Sequence, residues 1–330
     1  MLVAMMATRR EYSLDRLATL GERLDPVRPL LAGKPICVYA TGSYGRLEGW
    51  TGSDVDLFFL YDGEDATDRF PWITFTRLAA CLVDATEAMG FPEFSGDGKY
   101  LEVLYVRDME RVLGSPDDDS TNAFTARMLL LLESQPVYDA ELYASLLERI
   151  VGFYYRDFED HADDFVPGFL VNDILRFWRT LTLNYEHHRR QIQDLVGEEL
   201  RHKKASSALK NYKLKVSRMA TCYSMVANLS SEPTPVTAET VLELCRMTPG
   251  ERLARVTDRG VGAADIVTRI EDAYEAFLQD VQRPEDTLLA EFSSNAVRVA
   301  KLEQAAGYGK LVYDLLVAIV PAERMRYLVV

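Results

Sequence analysis

Two short apolar runs, each next to a polar motif, constrain the fold of this chain more than any other feature. The first run covers residues 36–40, and its length and apolar character are typical of a buried strand. The second run, residues 57–60, directly follows an acidic pair formed by Asp54 and Asp56. Side chains alternate along a strand, so a strand at this position would place both carboxylates on one face. The sequence therefore predicts two buried strands, the second of which carries two acidic groups at its start.

The polar motif after the first run predicts an anion site. Gly42 permits a sharp exit from the strand, and Ser43 is predicted to cap the helix that follows. The Ser43 hydroxyl and the unpaired N–H groups at this helix start would then face an anion. The two aspartates repel each other unless a divalent cation lies between them, and Mg²⁺ usually combines carboxylate with phosphate oxygens. Together, the two motifs predict a site for a metal-bound triphosphate.

Both motifs resemble the hallmark of the DNA polymerase β-like nucleotidyltransferase superfamily, which is Gly-Ser, a short helix and then Asp-x-Asp. The matching blocks are Gly-Ser-Tyr-Gly-Arg at 42–46 and Ser-Asp-Val-Asp-Leu at 53–57. The form with Arg46 is similar to the nucleotidyltransferase domain of PII uridylyltransferase and of stand-alone bacterial relatives. The resemblance implies an α+β fold, in which a polymerase β-like core of mixed sheet and flanking helices is followed by an α-helical domain.

The resemblance also implies a reaction. A nucleoside or deoxynucleoside monophosphate passes from a nucleoside triphosphate, such as ATP, to an acceptor hydroxyl, and pyrophosphate leaves. Mg²⁺, or Mn²⁺ in its place, is the implied cofactor, with Asp54 and Asp56 as catalytic metal ligands. Gly42, Ser43 and Arg46 are the implied phosphate contacts. Positioning and electrostatics carry such a reaction, so no side-chain nucleophile is needed.

The implied chemistry normally uses a third carboxylate on a later strand. Residues 99–106 form an apolar run that predicts a third strand, and Glu102 is the acid within it. A buried carboxylate without a neutralising partner is costly, which favours Glu102 as the third catalytic residue and metal ligand. The superfamily more often has Asp at this place, and Asp97 and Asp108 at the ends of the run are alternatives. A solvated glutamate on an edge strand is a further alternative, and it needs no metal.

Helical periodicity divides the chain into two predicted domains. Residues 1–135 are predicted to form the nucleotidyltransferase core with a leading helix, and residues 136–330 a helical domain that completes the nucleotide cleft. Arg127, in a helix after the core strands, is predicted to be structural rather than catalytic. Helices are predicted at residues 12–31, 75–89, 123–133, 141–193 and 206–228.

One segment of this acidic chain is strongly basic. The whole chain has a net charge of −14, whereas residues 176–218 contain eleven Lys or Arg and four acids, a net of +7. Such a segment is either a solvated helical face or an electropositive wall that receives triphosphate or a phosphate-bearing acceptor. Arg176, Lys213 and Ser217 lie in blocks similar to the helical domain of stand-alone bacterial nucleotidyltransferases, which implies phosphate contacts for them. Trp178, Tyr185 and Tyr223 are candidates for stacking on a base, with core packing as the alternative for each.

Cysteine usage and hydropathy point to the cytoplasm. The four cysteines are far apart and form no Cys-x-x-Cys pair, which is typical of reduced thiols. The longest late apolar stretch, residues 311–320, is interrupted by Asp314, so no membrane insertion is expected.

The acceptor does not follow from these residues, because one fold of this kind serves many substrates. Synthesis of an oligonucleotide or nucleotide signal, as in bacterial anti-phage defence, is one alternative. Nucleotidylation of a protein or a tRNA is another, and a small-molecule acceptor is a third. A nucleotide-sensing module that binds an effector or regulatory protein without turnover is the non-enzymatic alternative.

Overall fold

The computed structural model describes residues 2–65, 67–94, 98, 101–190 and 197–329. It divides into two compact units. The first unit comprises Val3–Asp160 and Thr237–Thr248, and the second comprises His161–Val236 and Pro249–Val330.

The described residues form four strands and a larger set of helices. The strands are β1 (Ile36–Thr41), β2 (Asp56–Tyr61), β3 (Val103–Tyr105) and β4 (Gln135–Tyr138). The α-helices are α1 (Leu2–Glu22), α2 (Arg28–Leu31), α3 (Gly42–Gly45), α4 (Trp72–Ala88), α5 (Val106–Val112), α6 (Pro116–Ser120), α7 (Ala123–Leu132), α8 (Ala140–Gly152), α9 (Gly168–Arg190), α10 (Gly197–Lys213), α11 (Met219–Ser231), α12 (Ala238–Arg246), α13 (Pro249–Ala254), α14 (Ala263–Val281), α15 (Glu285–Phe292), α16 (Asn295–Ile319) and α17 (Ala322–Val329). A 3₁₀ turn at Glu159–His161 and a π-helical turn at Leu214–Arg218 complete the set.

The sheet of the first unit is mixed, as predicted. Its strand order is β3-β2-β1-β4. β1 pairs antiparallel with both β2 and β4, and β2 pairs parallel with β3. All six residues of β1 are buried, as expected of a central strand covered on both faces. The fold is therefore a nucleotidyltransferase-like α+β core followed by a helical region.

The first unit extends beyond the predicted boundary at residue 135. β4 begins there and completes the sheet, and α8 packs on β1. α12 returns from later in the chain to pack on α8, so it also belongs to this unit. These contacts join segments far apart in the sequence, which periodicity alone does not reveal. The predicted third strand at 99–106 is also shorter, because Val106 already begins α5.

The core of the first unit joins the leading helix to the sheet. Leu17 and Leu20 of α1 pack in one hydrophobic cluster with Leu78 and Leu82 of α4 and with β1 and β2. Their three- and four-residue spacings place each pair on one helix face, as the periodicity predicted. The predicted leading helix is thus confirmed, although it begins earlier in the chain and is followed by the short α2.

Arg127 is buried and structural. Its guanidinium donates to both carboxylate oxygens of Asp118 at 2.8 and 2.7 Å, and its Nε donates to the Tyr154 hydroxyl at 2.8 Å. Burial alone would lower the pKa of Arg127, but hydrogen bonding and attraction to Asp118 raise it well above its ordinary value. This buried pair joins α6 to α7 and explains why Arg127 lies outside the catalytic candidates.

The second unit is built from helices. α10, the π-helical turn and α11 follow one another without a break, in the region where a helix over 206–228 was predicted. α11 packs against α9, α13 and α16, and α10 packs against α15 and α16. In the described part of the chain, no helix is both long and apolar enough to cross a membrane. All four cysteines are described, and none forms a disulfide.

Candidate active site

Asp54 and Asp56 lie on one exposed side of the chain where β2 begins. Both aspartates are exposed, whereas Val55 between them and Leu57 after them are buried. This alternation is the one predicted from the strand periodicity. The apolar side chains hold the segment on the core, so the two carboxylates stand at the surface together. Asp56 is directly opposite Thr41, the last residue of β1.

The turn after β1 brings the backbone close to the Asp56 carboxylate. Gly42 has φ of +68°, and a Cβ at this position would lie 3.1 Å from Asp56 Oδ2. A side chain at residue 42 would therefore be strained by its backbone conformation and would crowd the carboxylate. Glycine leaves this space open, which is a direct structural reason for the Gly-Ser motif.

The prediction that Ser43 caps a helix is wrong. α3 is a single turn of four residues in which Gly42 is the first residue and Ser43 the second. Thr41 occupies the capping position, and its side chain makes no capping hydrogen bond. Ser43 is half-buried, next to the glycine that approaches Asp56. It remains a candidate phosphate contact because of this position.

Arg46 is placed differently from the prediction that it contacts phosphate. Its Nε donates to Glu48 Oε2 at 2.8 Å, and its Nη1 donates to Glu133 Oε2 at 2.7 Å. All three side chains are buried, with exposed fractions of 8, 2 and 0%. A guanidinium held between two buried carboxylates holds the turn in place, and the contact of Arg46 with phosphate stays a prediction.

Further contacts anchor the Gly-Ser turn to its surroundings. Gly45 packs so closely that a Cβ there would lie 2.0 Å from the carbonyl oxygen of Glu133. On the other side, Arg9 of α1 donates to the carbonyl oxygen of Glu48 at 2.8 Å. The Ser13 hydroxyl accepts from the backbone N–H of Gly49 at 2.9 Å. The turn is therefore clamped between α1 and the end of α7.

Sequence reasoning missed this buried network. The sequence gives a weak indication that Glu48 pairs with Arg46, because Glu48 lies two residues after it inside the motif. The sequence gives no indication for Glu133, since it is 87 residues from Arg46. Only the packing of α7 against the turn brings the two together.

Glu102 lies next to the sheet, on the side that the strand pairing gives it. Val103 is paired with Phe59, so alternation places Glu102 on the same side of the sheet as Phe58 and Asp56. Glu102 is an exposed residue, although partial burial by the surrounding residues raises the pKa of its carboxyl. Among the residues that the structure describes, no three His, Cys, Asp or Glu side chains are grouped as a metal site. The role of Glu102 as the third ligand stays a prediction.

The two alternatives to Glu102 are placed as follows. Asp108 lies in α5, and its Oδ2 accepts from Arg69 Nη1 at 2.6 Å. This ion pair gives Asp108 a structural partner outside the Asp54 and Asp56 pair. Asp97 lies outside the described residues.

The oxygen atoms of the side chains around the turn fit the ligand preference of a divalent cation. Asp54 and Asp56 offer carboxylate oxygens, and Ser43 offers a hydroxyl oxygen. These are hard ligands of the kind that Mg²⁺ prefers, and exposed carboxylates leave room for water and phosphate oxygens in its coordination shell. The open space beside Gly42 lies against Asp56 Oδ2, where a side chain would otherwise intrude. The residues present therefore fit Mg²⁺ with two protein carboxylates.

Arg176, Lys213 and Ser217 belong to the second unit. Arg176 is half-buried, and its Nη1 donates to Asp173 Oδ1 at 3.4 Å. Lys213 is exposed, whereas Ser217 is buried within the π-helical turn. Their contact with a nucleotide stays a prediction.

Residues 1–99 match the family whose description is Putative nucleotidyltransferase DUF294. The match contains both motifs, with Gly42, Ser43, Asp54 and Asp56, and ends before Glu102. No curated protein and no solved structure matches the chain significantly. The match supports a nucleotidyltransferase-type domain in the first part of the chain, and a nucleotide as its substrate. The specific likeness to PII uridylyltransferase stays a prediction.

Proposed function

We propose that the protein is a metal-dependent nucleotidyltransferase that moves a nucleoside monophosphate from a nucleoside triphosphate to an acceptor hydroxyl. One observation carries the proposal. Asp54 and Asp56 stand exposed on one side of the chain, and Asp56 lies against the open space at Gly42. Two neighbouring carboxylates at a glycine turn suit a divalent cation that also binds the oxygens of a triphosphate.

The proposed reaction exchanges one bond at the α-phosphorus of the nucleoside triphosphate for another. The acceptor oxygen forms a bond to the α-phosphorus, the bond to the bridging oxygen breaks, and pyrophosphate leaves while the hydroxyl proton passes to solvent. Bound Mg²⁺ would neutralise the triphosphate and lower the pKa of the acceptor hydroxyl. Asp54 and Asp56 would hold it, and Glu102 is proposed as a third ligand.

The protein contributes position more than chemistry. Ser43 offers its hydroxyl to an outer phosphate oxygen, and Gly42 allows the phosphate to approach the backbone. Arg46, with Glu48 and Glu133, keeps this turn fixed, so its groups need no reorganisation when substrate binds.

The basic segment of the second unit supports a phosphate-bearing acceptor. A net charge of +7 over residues 176–218 attracts polyphosphate and nucleic acid more than it attracts a neutral small molecule. We therefore propose a nucleotide or oligonucleotide as the acceptor. Arg176 and Lys213 are proposed as phosphate contacts.

The test is an activity assay with matched variants. Purified protein is incubated with each labelled nucleoside and deoxynucleoside triphosphate and Mg²⁺ or Mn²⁺, and polymer, cyclic product and self-labelled protein are resolved. Asp54→Ala and Asp56→Ala are expected to abolish transfer while leaving circular dichroism and the melting temperature unchanged, because both side chains are exposed. Asp84→Ala, an exposed aspartate on α4, is the control and should keep full activity.

Two results would contradict the proposal. Turnover within severalfold of wild type in either aspartate variant would remove the pair from the mechanism. Nucleotide binding by wild type without pyrophosphate release under any condition would favour the nucleotide-sensing module instead. Labelled protein as the main product would overturn the proposed acceptor but not the transfer reaction.

A further inference from the structure

The second unit contains a basic cavity that the proposed reaction does not use. Its volume is about 390 Å³, and residues of α9, α10 and α16 line it. This volume is within the range of small-molecule sites, about 300–1,000 Å³. The polar lining side chains are Tyr185, Arg189, Lys204, Ser207 and Arg298.

The described residues that line the cavity have an excess of positive charge. Three of its lining residues are cations, and no acidic residue is among the described residues that line it. Lys204 is exposed and makes no ion pair with a described carboxylate. Arg189 makes one exposed contact, from Nη1 to Glu186 Oε1 at 3.4 Å, which water screens strongly. On a chain of net charge −14, such a cavity selects for an anion.

Arg298 gives the cavity a fixed charge. Its Nη1 donates to the carbonyl oxygens of Phe292 and Ser293 at 2.8 and 2.9 Å, and its Nη2 contacts Asn295 Oδ1 at 3.2 Å. All these acceptors are neutral, so they hold the guanidinium in place without cancelling its charge. A pre-positioned arginine is the type of group that binds phosphate oxygens well.

The remaining lining suits an aromatic ring. Tyr185 is half-buried, and Leu200 and Ala208 supply apolar surface beside it. Ser207 adds a hydroxyl that both donates and accepts hydrogen bonds. Inorganic phosphate alone would leave this apolar surface uncovered, whereas a base stacked on the tyrosine would cover it.

We propose that this cavity binds a nucleoside phosphate, with the phosphates on Arg189, Lys204 and Arg298 and the base against Tyr185. The site is built from the second unit alone, so binding there does not depend on the proposed transfer reaction. A nucleotide effector has this chemistry.

The experiment measures binding with transfer switched off. The full chain carrying Asp54→Asn and Asp56→Asn is titrated by calorimetry, in EDTA, with the diphosphates ADP, GDP, CDP and UDP, with pyrophosphate and with adenosine. At least one diphosphate is expected to bind more tightly than pyrophosphate and adenosine. Failure of the transfer reaction would not affect this result, because neither metal nor turnover is involved.

Matched variants place the ligand in the cavity. Lys204→Glu is expected to weaken diphosphate binding at least tenfold, whereas Lys203→Glu, the same charge change on an adjacent exposed lysine outside the cavity lining, should weaken it less than threefold. Tyr185→Leu should weaken diphosphate binding at least fivefold and leave pyrophosphate binding unchanged.

Three outcomes would overturn the proposal. These are no diphosphate binding, equal effects of the two lysine variants, or diphosphate binding that is insensitive to Tyr185→Leu. The altered side chains lie in solvent or at the cavity, and an unchanged melting temperature for each variant verifies that the fold is intact.

Discussion

The buried ion network below the Gly-Ser turn leads to a strong prediction about stability. Arg46→Met removes a guanidinium that contacts Glu48 and Glu133, and it leaves two carboxylates with almost no solvent exposure. Removing one partner of a buried ion pair typically costs about 3–5 kcal/mol, because the remaining charge loses its compensation. Here two carboxylates lose the same partner, so we expect a loss of about 4 kcal/mol or more in the free energy of unfolding at pH 8.

The loss should depend on pH in a defined direction. Without Arg46, burial and mutual repulsion penalise the ionised form of both glutamates, and protonation at low pH removes that penalty. The deficit of Arg46→Met relative to wild type should therefore be larger at pH 8 than at pH 5.

Urea denaturation in a Trp178→Phe background measures the effect. The remaining tryptophans, Trp50 and Trp72, both belong to the first unit, so their fluorescence reports its unfolding. Glu48→Gln is the matched control: it keeps the Arg46 contact with Glu133 and should cost less, about 1–3 kcal/mol. A change below about 1 kcal/mol for Arg46→Met, or a deficit that shrinks as pH rises, would refute the reasoning.

Three further perturbations test the packing around the site. Gly45→Ala should destabilise the first unit by about 3 kcal/mol in urea denaturation, because its Cβ would overlap the Glu133 carbonyl oxygen and backbone atoms cannot move aside cheaply; wild-type stability would contradict this. Asp118→Asn leaves the fully buried Arg127 charge without its carboxylate and should cost about 3–5 kcal/mol by the same measurement, and a loss within experimental error would be inconsistent with the buried pair. Glu102→Gln should raise thermal stability slightly at neutral pH and not below about pH 4, since a raised carboxyl pKa penalises only the ionised form. If Glu102 binds Mg²⁺, the metal should stabilise wild type more than this variant, whereas equal stabilisation would exclude it as a ligand.

Local sequence patterns were sufficient to predict the elements that carry the candidate site. Two apolar runs predicted β1 and β2, and strand alternation predicted that Asp54 and Asp56 share one face. These properties depend on a few consecutive residues, whose burial follows from the two-residue period of a strand. The positive φ of Gly42 is also local to the turn, whereas its close approach to Asp56 arises from the pairing of β1 with β2.

Contacts between distant segments decided the rest. The motif alone suggested that Arg46 binds phosphate, but Glu133, 87 residues away, joins it in a buried network when α7 packs against the turn. The boundary of the first unit likewise depends on β4 and α12, which pack on parts of the chain far from them in sequence. The tertiary structure also places Tyr185, Lys204 and Arg298 in the lining of one cavity. Periodicity reports which face of an element is buried, whereas the partner of that face is set by the energetics of packing across the whole unit.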